Sequence, residues 1–180
     1  MRAVEEIVYV AIGANLGDRE ATFARVIRAI ERDPDLGLLA ASSVYETPPV
    51  GPSGQSPYLN AVLELRVRLA PLELLHRLQA IELTLGRDRG PDAIRWGPRV
   101  IDLDLVFFGE RCIELPELVV PHARAHERSF VMTPLAELAP DLTHPRLGQT
   151  MSAIAAGQAG RENVRVQPRP TGWPCARRPS

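Results

Sequence analysis

The chain has 180 residues, 45% of them apolar and 24% charged, with a formal net charge of −1. That balance describes one globular domain with enough chain to bury a core, and the near-zero charge argues against a general nucleic-acid footprint or an electrostatic membrane anchor. No apolar run approaches the ~20 residues a bilayer span needs, the N-terminus lacks a signal peptide's anatomy, and Cys112 and Cys175 suggest neither a disulfide framework nor a zinc site. The expectation is a cytoplasmic, monomeric protein. All 21 basic residues are arginine, so any cation that binds phosphate here is a guanidinium, and a P-loop lysine is impossible.

In chain order, "IVYVAIG" (7–13) is β-branched and aromatic and predicts a strand. Asp18 is placed to cap a helix whose apolar residues Phe23, Val26, Ile27 and Ile30 recur at helical spacing, and "DPDLG" stops it. "LLAASSVYE" (38–46) predicts a second strand, and the Pro/Gly-rich "TPPVGPSGQSP" (47–57) a loop. "YLNAVLELRV" (58–67) alternates, with Leu59, Ala61, Leu63, Leu65 and Val67 on one face and Tyr58, Asn60, Glu64 and Arg66 on the other.

A helix follows over 70–86, with Pro71 in its first turn, Gly86 as its stop, and Leu74, Leu78, Ile81 and Leu85 as its buried stripe. Gln79 and Glu82 share a neighbouring face. After a second loop (87–98) comes a strand containing "IDLDLVFF", then Gly109 and a hairpin into "CIEL". A short helix is expected around 131–140. The Pro/Arg-rich segment 159–180 is expected to be poorly ordered and separate from a domain spanning 1–158. Strands mixed with two long helices imply an α+β sandwich, a mostly antiparallel sheet with helices packed on it.

The informative stretch is "RWGPRVIDLDLVFFG" (95–109). Residues two apart on a strand share a face, with Cα atoms roughly 6.5–7 Å apart. Asp102 and Asp104 thus point one way, and Ile101, Leu103, Leu105 and Phe107 point to the core. Two like charges this close are unfavourable unless a cation lies between them. Oxygen-only ligation by two carboxylates suits Mg²⁺ completed by water and substrate phosphates. Taken alone, the pair is a weak signal and reads more readily as a solvated strand face paired with arginine. However, Arg87, Arg89, Arg95 and Arg99 crowd the loop just upstream, and guanidinium groups bind phosphate oxygens bidentately. Together these features point to phosphoryl or nucleotidyl transfer. A non-enzymatic nucleotide-binding module and a small RNA-binding patch remain as alternatives.

The same stretch closely resembles the signature of the 6-hydroxymethyl-7,8-dihydropterin pyrophosphokinases of folate biosynthesis. "AIGANLGD", "YETPPVGP", "PYLNAV", "QAIELTLGR", "VVPHARAHERSF" and "PLAELAP" occur in that family's order, so the resemblance covers roughly residues 7–142. It implies a ferredoxin-like α/β sandwich that moves the terminal pyrophosphate of ATP to the pterin hydroxymethyl group and releases AMP, with no nucleic-acid or membrane partner. By position it implies that Asp102 and Asp104 ligate two Mg²⁺ ions bound with ATP, and that Arg87 and Arg99 handle the transferring phosphates. Gln79, Glu82, Arg89, Arg95, Trp96, the Leu105 backbone, His122 and Arg128 fall on the nucleotide side. Thr47, Pro48, Val50, Tyr58, Asn60, Trp96 and Phe130 fall on the pterin side. Aromatic faces at Tyr58 and Phe130 suit a flat pterin, and the Asn60 amide suits its amide-like edge. Glu117, Val119 and Ala123 depart from the family pattern.

Overall fold

The computed structural model describes residues 5–49, 53–87, 97–160 and 163–174. Its elements run β1 (Glu6–Ala14), α1 (Arg19–Arg32), β2 (Leu36–Ala41), β3 (Tyr45–Thr47), β4 (Tyr58–Val67), α2 (Pro71–Thr84) and β5 (Asp102–Phe108). Then follow β6 (Ile113–Glu114), β7 (Val119–Val120), a 3₁₀ turn (Ala125–Glu127), α3 (Ser129–Leu138), α4 (Met151–Gln158) and β8 (Arg165–Val166). The main sheet has the order β5-β1-β4-β3-β8, with β2 also on β4, and every pairing in it is antiparallel. Up to β5, with β2 and β3 counted as one interrupted strand, this is a βαββαβ chain with β1 and β4 central, which is the ferredoxin-like sandwich expected.

Local chemistry sets the helices. Asp18 caps α1 by accepting from the Ala21 N–H at 3.0 Å. Glu73 reaches back to the Ala70 N–H at 2.8 Å to start α2. Phe23, Val26, Ile27 and Ile30 of α1 and Leu74, Leu78 and Ile81 of α2 bury against Val8, Val10 and Ile12 of β1 and Leu59, Ala61, Leu63, Leu65 and Val67 of β4. The opposite face is covered as well, by Val131, Met132 and Leu135 of α3 and Met151 and Ile154 of α4. Because helices lie on both faces, the alternation along β4 separates two cores rather than core from water, and even Glu64 is only 3% exposed.

Four expectations need correction. The strand expected over 38–46 is two strands. A register irregularity between Leu38 and Ala40 precedes the break, and at the break Ser42 Oγ, rather than a backbone carbonyl, accepts the Val62 N–H at 2.9 Å. Phe107 does not share a face with Leu103 and Leu105. Val10 pairs with Leu105 and Tyr9 with Phe107, so Val106 is a bulge residue. The bulge turns Phe107 onto the α3 face, edge-on to Tyr9 at 6.5 Å, while Phe108 joins Leu103 and Leu105.

The segment after Gly109 does not return along β5, because the Gly109 N–H is taken by Ile7 O at 2.8 Å; β6 instead pairs with β7. Finally, residues 163–174 lie on the domain, although their composition predicts a loose tail. β8 pairs with β3, and Trp173, 7% exposed, stacks on Phe23 at 5.5 Å. Helix α4, capped by Thr150 Oγ1, escapes sequence reasoning because it is short and built largely of small residues.

Candidate active site

A cleft of about 680 Å³ opens at the end of the sheet where β1 finishes and β4 and β5 begin. Its floor is β1 at Ala11–Gly13 and β5 at Asp102–Leu105, and its walls come from α2, the segment 117–128 and the start of α3. Of the residues singled out above, Thr47, Pro48, Tyr58, Asn60, Gln79, Arg87, Arg99, Asp102, Asp104, Leu105, His122, Arg128 and Phe130 line it. Val50, Arg89, Arg95 and Trp96 lie outside the described residues.

Asp102 and Asp104 reach the cleft from one face of β5, but their settings differ. Arg87 donates to Asp102 Oδ1 at 2.6 Å, and Arg99 donates to Oδ2 at 2.5 Å. Asp104 has no hydrogen-bond or ion-pair partner among the described residues. Burial holds its carboxyl above the usual carboxylate range, and the neighbouring Asp102 charge adds to the shift. Burial works against the charge on Arg87, but Asp102 and Glu82 outweigh it and raise the guanidinium further. His122, whose N–H donates to Val106 O at 3.0 Å, is pushed down by burial, with Arg128 acting in the same direction and Asp104 opposing.

Glu82 was expected on the nucleotide side, yet it does not line the cleft. It is fully buried beneath it, where Oε1 accepts the Leu103 N–H at 2.6 Å and also meets the Arg87 guanidinium. Its position braces α2 against β5 and sets the arginine that grips Asp102.

On the β4 side of the cleft, Asn60 Nδ2 donates to Thr47 Oγ1 at 2.8 Å, and both residues are buried. Tyr58 OH donates to Gly97 O at 3.2 Å, and burial raises the phenol. The Arg128 guanidinium sits 5.7 Å from the centre of the Phe130 ring. Glu117 lines the rim and faces His76 Nε2 of α2 at 3.4 Å.

Two contributors were not foreseen. A Cβ on Gly13 would come within 3.3 Å of Asn60 Oδ1, so a side chain there would push that amide by a few tenths of an ångström; a glycine inside a strand run is the signal that could have found it. Asn15, 2% exposed, accepts the Arg99 N–H at 2.8 Å through Oδ1 and donates through Nδ2 to Gln55 Oε1 and Ser56 O. It thereby ties the first loop to the arginine segment.

Among the described residues, no three His, Cys, Asp or Glu side chains come together to hold a metal. A pair of carboxylates with water and phosphate oxygens completing the shell is the donor set of Mg²⁺, so the residues present fit that ion. Carboxylate and guanidinium groups share the cleft with a buried amide and two aromatic rings. Such a cleft suits a polyphosphate beside a flat, hydrogen-bonding heterocycle.

Comparison with known proteins agrees with this chemistry. Residues 9–140 match the model of a family described as 7,8-dihydro-6-hydroxymethylpterin-pyrophosphokinase. The chain is 48% identical over 138 residues to the 2-amino-4-hydroxy-6-hydroxymethyldihydropteridine pyrophosphokinase of Pseudomonas aeruginosa, covering 77% of this chain and 83% of that one. It is 38% identical over 163 residues to the Bacillus subtilis protein of the same name, covering 91% of each. Among solved structures, wild-type Plasmodium falciparum HPPK-DHPS with SDX-DHP superposes with a TM-score of 0.68 at 15% identity, covering 88% of this chain and 45% of that one, a likeness of fold. Sharing the family's match over most of its length and close identity with its bacterial members, the chain belongs to the 7,8-dihydro-6-hydroxymethylpterin-pyrophosphokinase family.

Proposed function

We propose that this cleft binds ATP at its arginine end and 6-hydroxymethyl-7,8-dihydropterin at its Asn60 end, and that Asp102 and Asp104 hold two Mg²⁺ ions between them. As a member of its family the chain is an ATP:pterin pyrophosphokinase that acts in folate biosynthesis. The observation that carries the residue assignment is the convergence of Arg87 and Arg99 on Asp102, with Asp104 beside it in one cleft.

The pterin hydroxyl oxygen attacks the β-phosphorus in line. The bond from that phosphorus to the bridging α,β-oxygen breaks, AMP leaves, and the hydroxyl proton passes to solvent. Bound Mg²⁺ supplies charge neutralisation across the phosphate oxygens and lowers the cost of deprotonating the hydroxyl. Arg87 and Arg99 follow the charge that builds on the phosphates, since each already lies within reach of the metal-binding carboxylate. Gln79, His122, Arg128 and the Leu105 backbone hold the nucleotide, joined by Arg89, Arg95 and Trp96. Glu82 contributes through Arg87. Tyr58 and Phe130 pack on the pterin, Thr47, Pro48 and Val50 belong to its side of the cleft, and the Asn60 amide reads its edge.

Incubation with ATP, Mg²⁺ and the hydroxymethyl-dihydropterin tests this reading through the nucleotide released. AMP with a diphosphorylated pterin is the expected result. Release of inorganic pyrophosphate with an adenylylated pterin would place attack at the α-phosphorus and replace the reading with nucleotidyl transfer.

A further inference from the structure

Strand β3 is only three residues long, yet it delivers Thr47 and Pro48 to the cleft. On one side it pairs with β4 through Tyr45–Asn60, Glu46–Leu59 and Thr47–Tyr58. A strand this short at a sheet edge has little to keep its register. In this chain it is not the edge. β8 lies outside it through Tyr45–Val166 and Glu46–Arg165, and the Gln167 N–H donates to Val44 O at 2.8 Å.

The segment is then anchored. A turn with Gly172 at φ 76° brings the Trp173 N–H to Pro170 O at 3.0 Å. The indole stacks on Phe23 of α1, and its Nε1–H donates to Ser42 O at 2.8 Å, at the break between β2 and β3. Ser42 is itself locked to Val62 of β4 by two hydrogen bonds of 2.9 Å. Across β3, Arg19 holds Glu46 at 3.2 Å and Pro57 O at 2.7 Å, at the exit of the same loop.

We propose that residues 163–174 are a positioning element for the pterin half of the cleft, with β8 clamping β3 and Trp173 anchoring the clamp, so that Thr47 holds the Asn60 amide in its binding orientation. The inference rests on assigning Thr47 and Asn60 to the pterin. It concerns a segment beyond residues 9–140, which the family model matches. Thr47 Oγ1 occupies Asn60 Nδ2 and leaves Oδ1 beside Gly13 in the cleft. Slippage of β3 releases that amide, whereas the arginine end is built on β5 and α2, to which residues 163–174 make no hydrogen bond among the described residues.

The test uses the full chain, the chain ended after Gly160, and the variants Trp173→Ala, Trp173→Phe and Gln167→Pro. It reads KM for pterin and for ATP separately, with hydrogen exchange at residues 44–47. Trp173→Ala and the shortened chain are expected to raise the pterin KM about fivefold, the effect of loosening one positioning hydrogen bond. The ATP KM should move less than about twofold, and exchange at 44–47 should quicken. Trp173→Phe keeps the stacking but loses the indole donor and should fall between. Should the shortened chain not fold, Trp173→Phe and Gln167→Pro decide by the same ratio. Pterin and ATP constants that rise together, or a pterin KM that does not move, overturn the proposal. Asn60→Ala runs alongside. If it weakens pterin binding while the tail variants do not, only the clamp fails; if it leaves pterin binding unchanged, the assignment of the pterin end fails first.

Discussion

Arg99 donates to Asp102 Oδ2 at 2.5 Å, joining the end of the arginine segment to the first residue of β5. With Arg87 on the other oxygen at 2.6 Å, the carboxylate proposed to hold metal is already neutralised by guanidinium groups. Binding of Mg²⁺ with ATP is then an exchange of partners. On the proposed assignment Asp102 would serve the metal and Arg87 and Arg99 would turn to the phosphates, so the Asp102 carboxylate would be compensated at either stage.

Removal of one arginine makes this exchange visible. Arg99→Ala should lower kcat by roughly a hundredfold or more, the scale for a lost transition-state donor. Binding of Mn²⁺ to the nucleotide-free protein, followed by its electron-spin resonance, should hold or tighten as Asp102 is freed. A variant with weakened Mn²⁺ binding and unchanged kcat would contradict the exchange.

The two aspartates should differ in stability while agreeing in activity. Asp102→Asn and Asp104→Asn should each cut turnover by orders of magnitude. In urea unfolding without Mg²⁺, Asp102→Asn should lose about 1–3 kcal/mol, because Arg99 loses its carboxylate and Arg87, whose side chain is only 12% exposed, keeps Glu82 alone. Asp104→Asn removes a carboxylate that lies near another and has no ion-pair partner among the described residues, and it should be neutral or stabilising. Equal losses would mean that the arginines do not discriminate between them.

Glu82→Ala strands the buried Leu103 N–H and should cost about 1–3 kcal/mol. Glu82→Gln retains an acceptor for Leu103 and should recover most of that stability, but with a weakened hold on Arg87 it should keep a turnover defect. Full recovery of both properties by glutamine would reduce Glu82 to a backbone brace.

Acid should weaken the fold through His144. Its ring is buried, 5.3 Å from Phe107 and 5.8 Å from the His126 ring, and its Nδ1 accepts the Arg146 N–H at 3.2 Å. Burial, with His126 and Arg146 adding to it, lowers its pKa from the ordinary 6.5. The unfolded chain therefore binds the proton more readily below about 6.5, and stability falls as pH drops through that value. His122 shifts the same way. The unfolding free energy of wild type measured from pH 8 to 5 should decline at the acid end, and His144→Asn, which retains an acceptor, should flatten the decline. An unchanged slope in that variant would remove His144 as the cause.

Short-range chemistry was legible in the residues alone. Asp18 as a cap, the stripe of α2, the Pro/Gly loop before Tyr58 and the shared face of Asp102 and Asp104 each depend on neighbours within a few positions, where the periods of helix and strand apply. The motifs that resemble the family were equally legible, because their spacing is written along the chain. What lay beyond reach depended on a partner far away in sequence. The face of Phe107 is decided by a bulge against Tyr9. The burial of Glu82 is decided by the Leu103 N–H that arrives from β5. The pairing of β6 is decided by β7, because Gly109 is spent on Ile7. The order of the C-terminal segment is decided by the open side of β3 and by the Phe23 ring. Composition describes how that segment behaves in water. Its conformation depends on unpaired backbone groups and an apolar surface that exist only once the rest of the chain has folded.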